Sequence, residues 1–400
     1  MEGRAIKNEI KTDKHNTFCT EPFKQVHFNS RGELGPCCQY NGLREHYING
    51  IDEYLSSEWL ANLKQSLENG EKISGCDICW KQEEQNLESM RQRRGEYYKK
   101  RNRSLDDIEH IMITFGNQCN TACRICNVSR SSLVEKQYKE TIDTVTNPQL
   151  KKLMSKTHNW DKTKTWYKNI IDGIVSRADR IHKLEISGGE PMINYHYNKL
   201  IDNLIDSGKK LPVISVTTNG SFDNEQISKL EKFDYCHINF SIDGVGKDYY
   251  EYLRWPLKWE DTICSVDILK SHKWLGCKFI LVPHNLNVSN LADSIDWFKS
   301  YTDNEERFEV GFSWLNGAPW YSIQNSPRDL RLIEADKVEK VLSNYKFSKG
   351  EELQIKELIT LLRKDMSPVY LDVFKDHLDM TNKFRNFDSW NFLGWNIEQI

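Results

Sequence analysis

HIMITFGNQCNTACRIC, residues 110–126, joins a short apolar run to three closely spaced cysteines. The run, IEHIMITF at 108–115, has the length and β-branched content of a strand. Cys119, Cys123 and Cys126 follow within a few residues of its end. A strand that leads straight into a cluster of thiols places chemistry at its C-terminal end. That is where parallel α/β sheets and barrels hold their sites.

The same rhythm recurs along the chain. IHKLEIS (181–187), PVISVTT (212–218), YCHINFS (235–241), CKFILVP (277–283) and FEVGFSW (308–314) are separated by stretches of helical period such as NLADSIDWFKSY. Strands alternating with helices imply parallel βαβ units. Six of them predict an α/β fold, either an open parallel sheet or a partial (β/α)6 TIM-like barrel. Four strand ends carry polar or Gly-rich signatures: GNQCNTACRICN, SGGEP (187–191), TTNG (217–220) and SIDG (241–244). One glycine turn is an ordinary way to leave a strand. Four in series, on what would be one rim, are not explained by turn chemistry.

The remaining composition narrows the class. A chain of 400 residues has room for a large domain with a smaller one. Its net charge of -3 gives no bulk attraction to nucleic acid or a membrane surface. Hydrophobic residues at 38% and charged residues at 28% suit a soluble globular protein. The start, MEGRAIKNEIKTDKHNTF, lacks an apolar signal core, and no run is long enough to span a bilayer. The expected compartment is the cytoplasm, where thiols stay reduced. Eleven cysteines there favour metal or cluster binding over disulfides. Cys236, Cys264 and Cys277, scattered among apolar neighbours, are read as buried small hydrophobes.

Up to Arg103 the sequence is loop-rich with short helices. SSEWLANLKQSLENG (56–70) sets Leu60, Leu63 and Leu67 on one helical face, with a serine to cap its start and Gly70 to end it. A second helix is expected after Cys79, through WKQEEQNLESMRQRR. The Arg- and Lys-rich segment 91–103 reads as a solvated helix face or linker, with docking of an acidic peptide as the weaker alternative. Helices through DLRLIEADKVEKVLSNY and KGEELQIKELITLLRK are expected to cover one side. The expected division is therefore a Cys-rich unit at 1–103, a barrel at 104–327 and a helical extension at 328–400. The insertion between Asn127 and Ile181 is longer than one helix needs. The loop LNGAPWYSIQNSP (315–327) brings Trp314, Trp320 and Tyr321 to the rim, as pocket lining or as packing.

Thiolates are soft ligands for zinc, copper(I) or iron–sulfur clusters. A structural zinc site closes with four ligands, and a cubane cluster is usually held by four cysteines. Three local cysteines would leave one iron without a protein ligand, open for a cosubstrate to chelate.

CNTACRIC resembles the CxxxCxxC signature of radical S-adenosylmethionine (SAM) enzymes. GELGPCC and GCDICW, with Cys19, resemble the auxiliary-cluster cysteines of a twitch, or half-SPASM, domain placed before the barrel. The set, with the ending DMTNKFRNFDSWNF, is similar to a group of twitch-containing radical SAM proteins whose activities are mostly unassigned. The resemblance implies that Cys119, Cys123 and Cys126 hold a 4Fe–4S cluster whose open iron is chelated by SAM. It implies that Gly188, Gly189 and Glu190 receive the SAM amino group, with Pro191 stiffening the turn. Thr218, Asn219, Ser241 and Asp243 resemble polar strand-end positions near the SAM ribose. Arg254 stands where relatives pair an arginine with the SAM carboxylate, for which a guanidinium fork is suited. On residues alone, the alternatives are Glu190 as a surface turn residue, Asp243 as an ordinary Asp-Gly turn and Arg254 as a surface arginine. Ile125 departs from the aromatic residue many members have there, which puts in doubt the packing over the adenine, not the ligation.

Cys19, Cys37, Cys76 and Cys79 supply four thiolates that close a zinc ribbon or a cluster. The resemblance implies an auxiliary 4Fe–4S cluster, with zinc as the alternative. Cys38 adjoins Cys37, and neighbouring side chains diverge, so Cys37 is taken as the ligand. The resemblance also implies reductive cleavage of SAM to a 5′-deoxyadenosyl radical that abstracts hydrogen from substrate. A flavodoxin- or ferredoxin-type protein would be the electron donor. No His/Asp/Ser triad is required. Three function classes stand: radical chemistry on a peptide or protein side chain, the same chemistry on a small molecule, and a non-enzymatic zinc or iron–sulfur protein.

Overall fold

The computed structural model describes residues 17–44, 49–84, 88–100, 108–155, 166–315 and 318–400. Outside them lie the start of the chain, the boundary placed at 103, the basic residues Arg101 and Arg103, and part of the insertion and of the rim loop. The strands are β1 (Gln25–Phe28), β2 (Leu34–Gly35), β3 (His110–Thr114), β4 (Lys183–Ser187), β5 (Val213–Thr218), β6 (Tyr235–Ser241), β7 (Gly276–Leu281) and β8 (Phe308–Phe312). They form one sheet in the order β2-β1-β3-β4-β5-β6-β7-β8. All neighbours from β1 through β8 pair in parallel, and β2 alone pairs antiparallel, with β1. The six expected runs are β3 to β8, in the α/β arrangement of a partial barrel.

The first two strands come from the Cys-rich segment, which the pattern gave no strand. QVHF is too short to show a period, and its burial is supplied by neighbours. Val26, Phe28, Leu34, Ile51, Tyr54, Leu60 and Leu63 share one core with Ile111, Leu184, Ile214 and Ile238. The N-terminal segment thus extends the sheet rather than packing a core of its own. The helix Glu58–Glu68 forms as its pattern predicts: Ser57 caps it by accepting from the Leu60 amide, and Leu60, Leu63 and Leu67 are buried.

Along β3 to β8 one parity faces this core. Ile113, Ile186, Val216, Phe240, Phe279 and Val310 are at most 1% exposed. Each such side chain contributes roughly 1.5–3 kcal/mol relative to staying in water. The other parity is polar. There the Glu185 carboxylate lies 2.7 Å from His110 Nε2, Asn239 Nδ2 donates to Ser215 Oγ at 3.0 Å, and Lys278 pairs with Glu309 at 2.8 Å. Parallel sheets covered on both faces by helices read as solid apolar runs. The alternation here marks a sheet with one apolar face and one polar face.

Three expectations need correction. Cys264 is exposed, whereas Cys236 and Cys277 are buried. The helix Trp259–Ser271 buries Thr262, Ser265, Val266 and Leu269, and Cys264 points away from that stripe. The basic helix keeps a solvated face, with Arg93 exposed, but Arg91 and Arg94 turn inward: Arg91 pairs with Glu83 at 2.5 Å and lies over the Trp80 ring, and Arg94 reaches Glu185 at 3.7 Å. The helix containing Cys79 also starts earlier, at Asp77, and a second begins at Met90.

The C-terminal half of the extension does more than cover a side. Helices Leu371–Arg385 and Ser389–Leu393 build a second core with the insertion helices Ser132–Thr141 and Pro148–Met154. His377 sits between two hydroxyls, Tyr138 at 2.8 Å and Tyr321 at 2.6 Å. Trp320 and Tyr321 belong to this core, so they are packing residues. Trp314 is exposed.

Candidate active site at the strand ends

β3 ends at Thr114, and the chain turns at once into the cysteine loop. Thr121 sits between two of the thiols, its hydroxyl 3.1 Å from Cys119 Sγ and 3.5 Å from Cys123 Sγ. The Cys126 amide donates to the Cys123 carbonyl at 3.1 Å. Ser132 ties the loop back, its hydroxyl bonding the Cys119 amide and carbonyl, each at 3.2 Å. The far side is fixed by backbone: the Ala122 amide donates to Trp255 at 2.8 Å and the Arg124 amide to Leu253 at 3.0 Å. Burial, then the neighbouring Cys123 thiol, push Cys119 up to about 11. Burial pushes Cys126 higher than the ordinary thiol range for the same reasons. Thiols so crowded need a bound cation to become thiolates.

The SGGEP turn at the end of β4 packs directly on this loop. The Glu190 amide donates to the Gln118 carbonyl at 2.8 Å. Gly188 and Gly189 have φ of +89° and +53°, and an added Cβ would lie 2.0 Å from Thr114 Cγ2 or 2.2 Å from the Gln118 carbonyl oxygen. Only glycine permits that backbone and that approach.

Glu190 is buried at 1% exposure, not a surface turn residue. Its carboxylate accepts from Thr218 Oγ1 at 2.7 Å, the Asn219 amide at 2.6 Å and the Met192 amide at 3.1 Å. It is a brace between the ends of β4 and β5. Burial pushes it up to about 7, held back by those hydrogen bonds. Asn219 carries the brace onward, donating to Asn120 Oδ1 at 3.0 Å in the cysteine loop, and Asn120 donates to Ser221 Oγ at 2.8 Å.

Asp243 follows β6, and its carboxylate pairs with Arg254 at 2.7 Å. Both residues are buried, at 2% and 7% exposure, which removes the surface-arginine reading. Arg254 stays charged: burial opposes it, but Asp243 and the Cys123 thiol beside it prevail. Its Nε has no partner. Ser241 lies on the polar parity of β6, level with Ile280 of β7.

The structure therefore gathers the cysteine loop, the Gly188–Glu190 turn, Thr218, Asn219, Asp243 and Arg254 on one rim. Sequence reading missed His284, just past β7. It is fully buried. Its Nδ1 accepts from the Leu286 amide at 3.1 Å, so Nε2 carries the proton, and Nε2 has no partner. Burial, then Arg254, pull its pKa down to about 3. The only signal was a polar pair, HN, closing an apolar strand.

The N-terminal thiols form a second group. Cys19, Cys37, Cys76 and Cys79 line one cavity with Tyr40, Trp80 and Arg91. Cys38 does not line it. Its Sγ lies 3.8 Å from Met90 Sδ, and it feels Glu21, Glu185 and Arg94 instead. Burial, then Glu21 for Cys19 and the neighbouring thiols for Cys37, push both thiols well up. Among the described residues, no group of three Cys, His, Asp or Glu side chains is arranged to hold a single metal ion, and no helix is long and apolar enough to cross a membrane.

Residues 113–298 match the family model described as the radical SAM superfamily. An uncharacterized protein of Methanocaldococcus jannaschii is 23% identical over 211 residues, 52% of this chain and 64% of that protein. A GTP 3',8-cyclase of Desulforamulus reducens is 31% identical over 86 residues, 22% of this chain and 26% of that protein. The chain thus spans less than two thirds of these relatives. Among solved structures, Streptococcus suis SuiB bound to precursor peptide SuiA aligns at TM-score 0.38 and 13% identity, over 80% of this chain and 70% of that one.

Proposed function

We propose, for a chain whose residues 113–298 match the radical SAM superfamily model, an enzyme that uses SAM to abstract hydrogen from a peptide or protein side chain. Members of that superfamily are enzymes. The observation that carries the reading is Thr121 bridging the Cys119 and Cys123 thiols in a loop whose Gln118 backbone packs against the Gly188–Gly189 turn. A 4Fe–4S cluster held by Cys119, Cys123 and Cys126 supplies, when bound, the electron that splits SAM into methionine and a 5′-deoxyadenosyl radical.

The protein's own work is binding and exclusion. Glu190 has three of its acceptor positions occupied by Thr218, Asn219 and Met192. In this reading the carbonyls of the Gly188–Gly189 turn receive the SAM amino group, and Glu190 holds the turn in place. Arg254, oriented by Asp243, offers its free Nε–H to the SAM carboxylate. Asn219 and Ser241, polar positions at the ends of β5 and β6, would hydrogen-bond the ribose. The polar face of the sheet, with Glu185, Asn239 and Lys278, orients the substrate. A flavodoxin- or ferredoxin-type protein is the electron donor, and the compartment is the cytoplasm.

Cys19, Cys37, Cys76 and Cys79 hold an auxiliary 4Fe–4S cluster in a twitch-like unit. Their shared cavity and the divergence of Cys38 support this ligand set. A zinc ion is the second reading, favoured by the C-x-x-C spacing of Cys76 and Cys79. For the substrate, a small molecule is the second reading, favoured by the match to GTP 3',8-cyclases.

The test is anaerobic incubation of the purified protein with SAM and dithionite. The expected result is 5′-deoxyadenosine, lost when Cys119, Cys123 and Cys126 are replaced together by alanine. Undiminished cleavage in that variant overturns the reading. Deuterated peptides or small molecules then separate the substrate classes by label transferred into 5′-deoxyadenosine.

A further inference from the structure

The ending DMTNKFRNFDSWNF (379–392) has no part in the site above, yet it builds one wall of a cavity of about 260 Å³. Arg124 and Arg385 line that cavity with Tyr252, Trp255, Phe387 and Phe392. The cavity lies against the back of the cysteine loop. Arg124 stands between Cys123 and Cys126, and Arg385 Nη2 donates to the Ala122 carbonyl.

Both guanidiniums are held in place but not neutralised. Arg124 is 2% exposed. Its Nη1 donates to Thr381 Oγ1 at 2.6 Å and Asn382 Oδ1 at 3.3 Å, and its Nε to the Tyr252 carbonyl at 3.4 Å. Arg385 also donates to Gln137 Oε1 at 3.2 Å, while its Nε and Nη1 are buried without a partner. All these acceptors are neutral. Among the described residues, no carboxylate comes within ion-pair distance of either arginine, although Asp248 and Glu251 also line the cavity. Glu251, at the cavity's rim, is committed to Lys247 at 3.0 Å and Lys258 at 2.8 Å. Arg124 is buried and Arg385 half-buried, and two cations side by side with donors unspent are costly unless an anion joins them.

The walls say what kind of anion. Arg124 lies over the Tyr252 ring at 4.4 Å and Arg385 over the Trp255 ring at 5.3 Å. Tyr252, Phe387 and Phe392 stand 4.5 to 5.7 Å apart, centroid to centroid. A guanidinium fork matches a carboxylate, and offset aromatic faces accept a planar ring. The volume is at the low end for ligand pockets, enough for one ring and not for a dinucleotide. We infer that this cavity is a binding site for a small aromatic carboxylate, its acid group on Arg124 and Arg385 and its ring against the packed faces of Tyr252, Phe387 and Phe392. This site does not depend on what metal the cysteines hold.

The test is isothermal titration of the purified full-length protein with benzoate at low salt, with benzyl alcohol as the neutral analogue. Benzoate is expected to bind one site and benzyl alcohol not to bind. Arg385→Met is expected to weaken benzoate roughly tenfold or more, the loss of charge-assisted hydrogen bonds. Should that variant fail to fold, Phe387→Ala serves. Phe387 is 40% exposed, so its loss spares the fold, and benzoate is expected to weaken severalfold. No measurable benzoate binding, equal binding of benzyl alcohol, or unchanged affinity in both variants overturns the proposal.

Discussion

The Asp243 carboxylate lies 2.7 Å from an Arg254 guanidinium nitrogen, and both side chains are almost fully withdrawn from water. One residue closes β6; the other ends the helix Lys247–Leu253 that follows. The hairpin of strand end and helix brings them together, with Val282 donating to Asp243 Oδ1 at 3.3 Å from the next strand. The pair is thus a clamp across the β6 and β7 ends, and it aims Arg254 toward the cysteine loop.

Removing one member of a buried pair leaves an uncompensated charge and costs roughly 3–5 kcal/mol. Asp243→Asn should therefore destabilise strongly, as Arg254→Met should. The double variant should recover most of the loss, because no lone charge remains. Urea denaturation of the four proteins in a double-mutant cycle reads this directly. A double variant as unstable as the sum of the singles would show that the two do not act as a pair.

Glu190 gives a pH signature. Burial raises it from 4.5 to about 7, against the pull of the Asn219, Thr218 and Met192 donors. Between those values the folded protein keeps a proton that the unfolded chain has released, so stability falls as pH rises through the window. The loss is on the order of 3 kcal/mol for a group so deeply buried. Glu190→Gln should flatten the fall in urea midpoint between pH 4.5 and 7. Glu21, also raised by burial to about 7, should preserve its own share. An unchanged slope in the variant would place the Glu190 proton elsewhere.

The two thiol groups are separable by metal content. Replacing Cys119, Cys123 and Cys126 by serine should remove one cluster's iron and acid-labile sulfide from anaerobically purified protein. Replacing Cys19, Cys37, Cys76 and Cys79 should remove the other, or one zinc. Cys38→Ser should change neither, since Cys38 does not line the cavity that the other four thiols share and its Sγ lies against Met90 Sδ. Loss of metal in Cys38→Ser with retention in Cys37→Ser would reverse the assignment of the ligand.

What the sequence made legible follows from period and local punctuation. Strands β3 to β8 announced themselves as apolar runs, and the rim motifs as Gly-rich or thiol-rich exits. β1 did not, because four residues, QVHF, carry no period and owe their burial to β3 beside them. Asp243 and Arg254 were each legible as polar positions, but their pairing depends on how a helix returns, which no spacing records. The brace made by Glu190 was hidden for a related reason: its partners Thr218 and Asn219 lie a whole βα unit away. Cys264 misled because apolar neighbours in sequence are not neighbours around a helix.

His284 separates a structural role from a ligand-binding one. A buried donor without a partner costs roughly 1–3 kcal/mol, and Nε2 of His284 is such a donor beside Arg254. A protein gains nothing from this in its unliganded state. His284→Phe removes the orphan N–H at similar bulk, while leaving the Leu286 amide without its acceptor. If His284 served packing alone, the substitution would leave SAM affinity unchanged and show only in the denaturation midpoint. If the N–H is kept for a ligand, SAM or substrate binding should weaken about tenfold while the iron content stays as in the wild type. Equilibrium binding of SAM to His284→Phe, with iron measured on the same sample, decides between them.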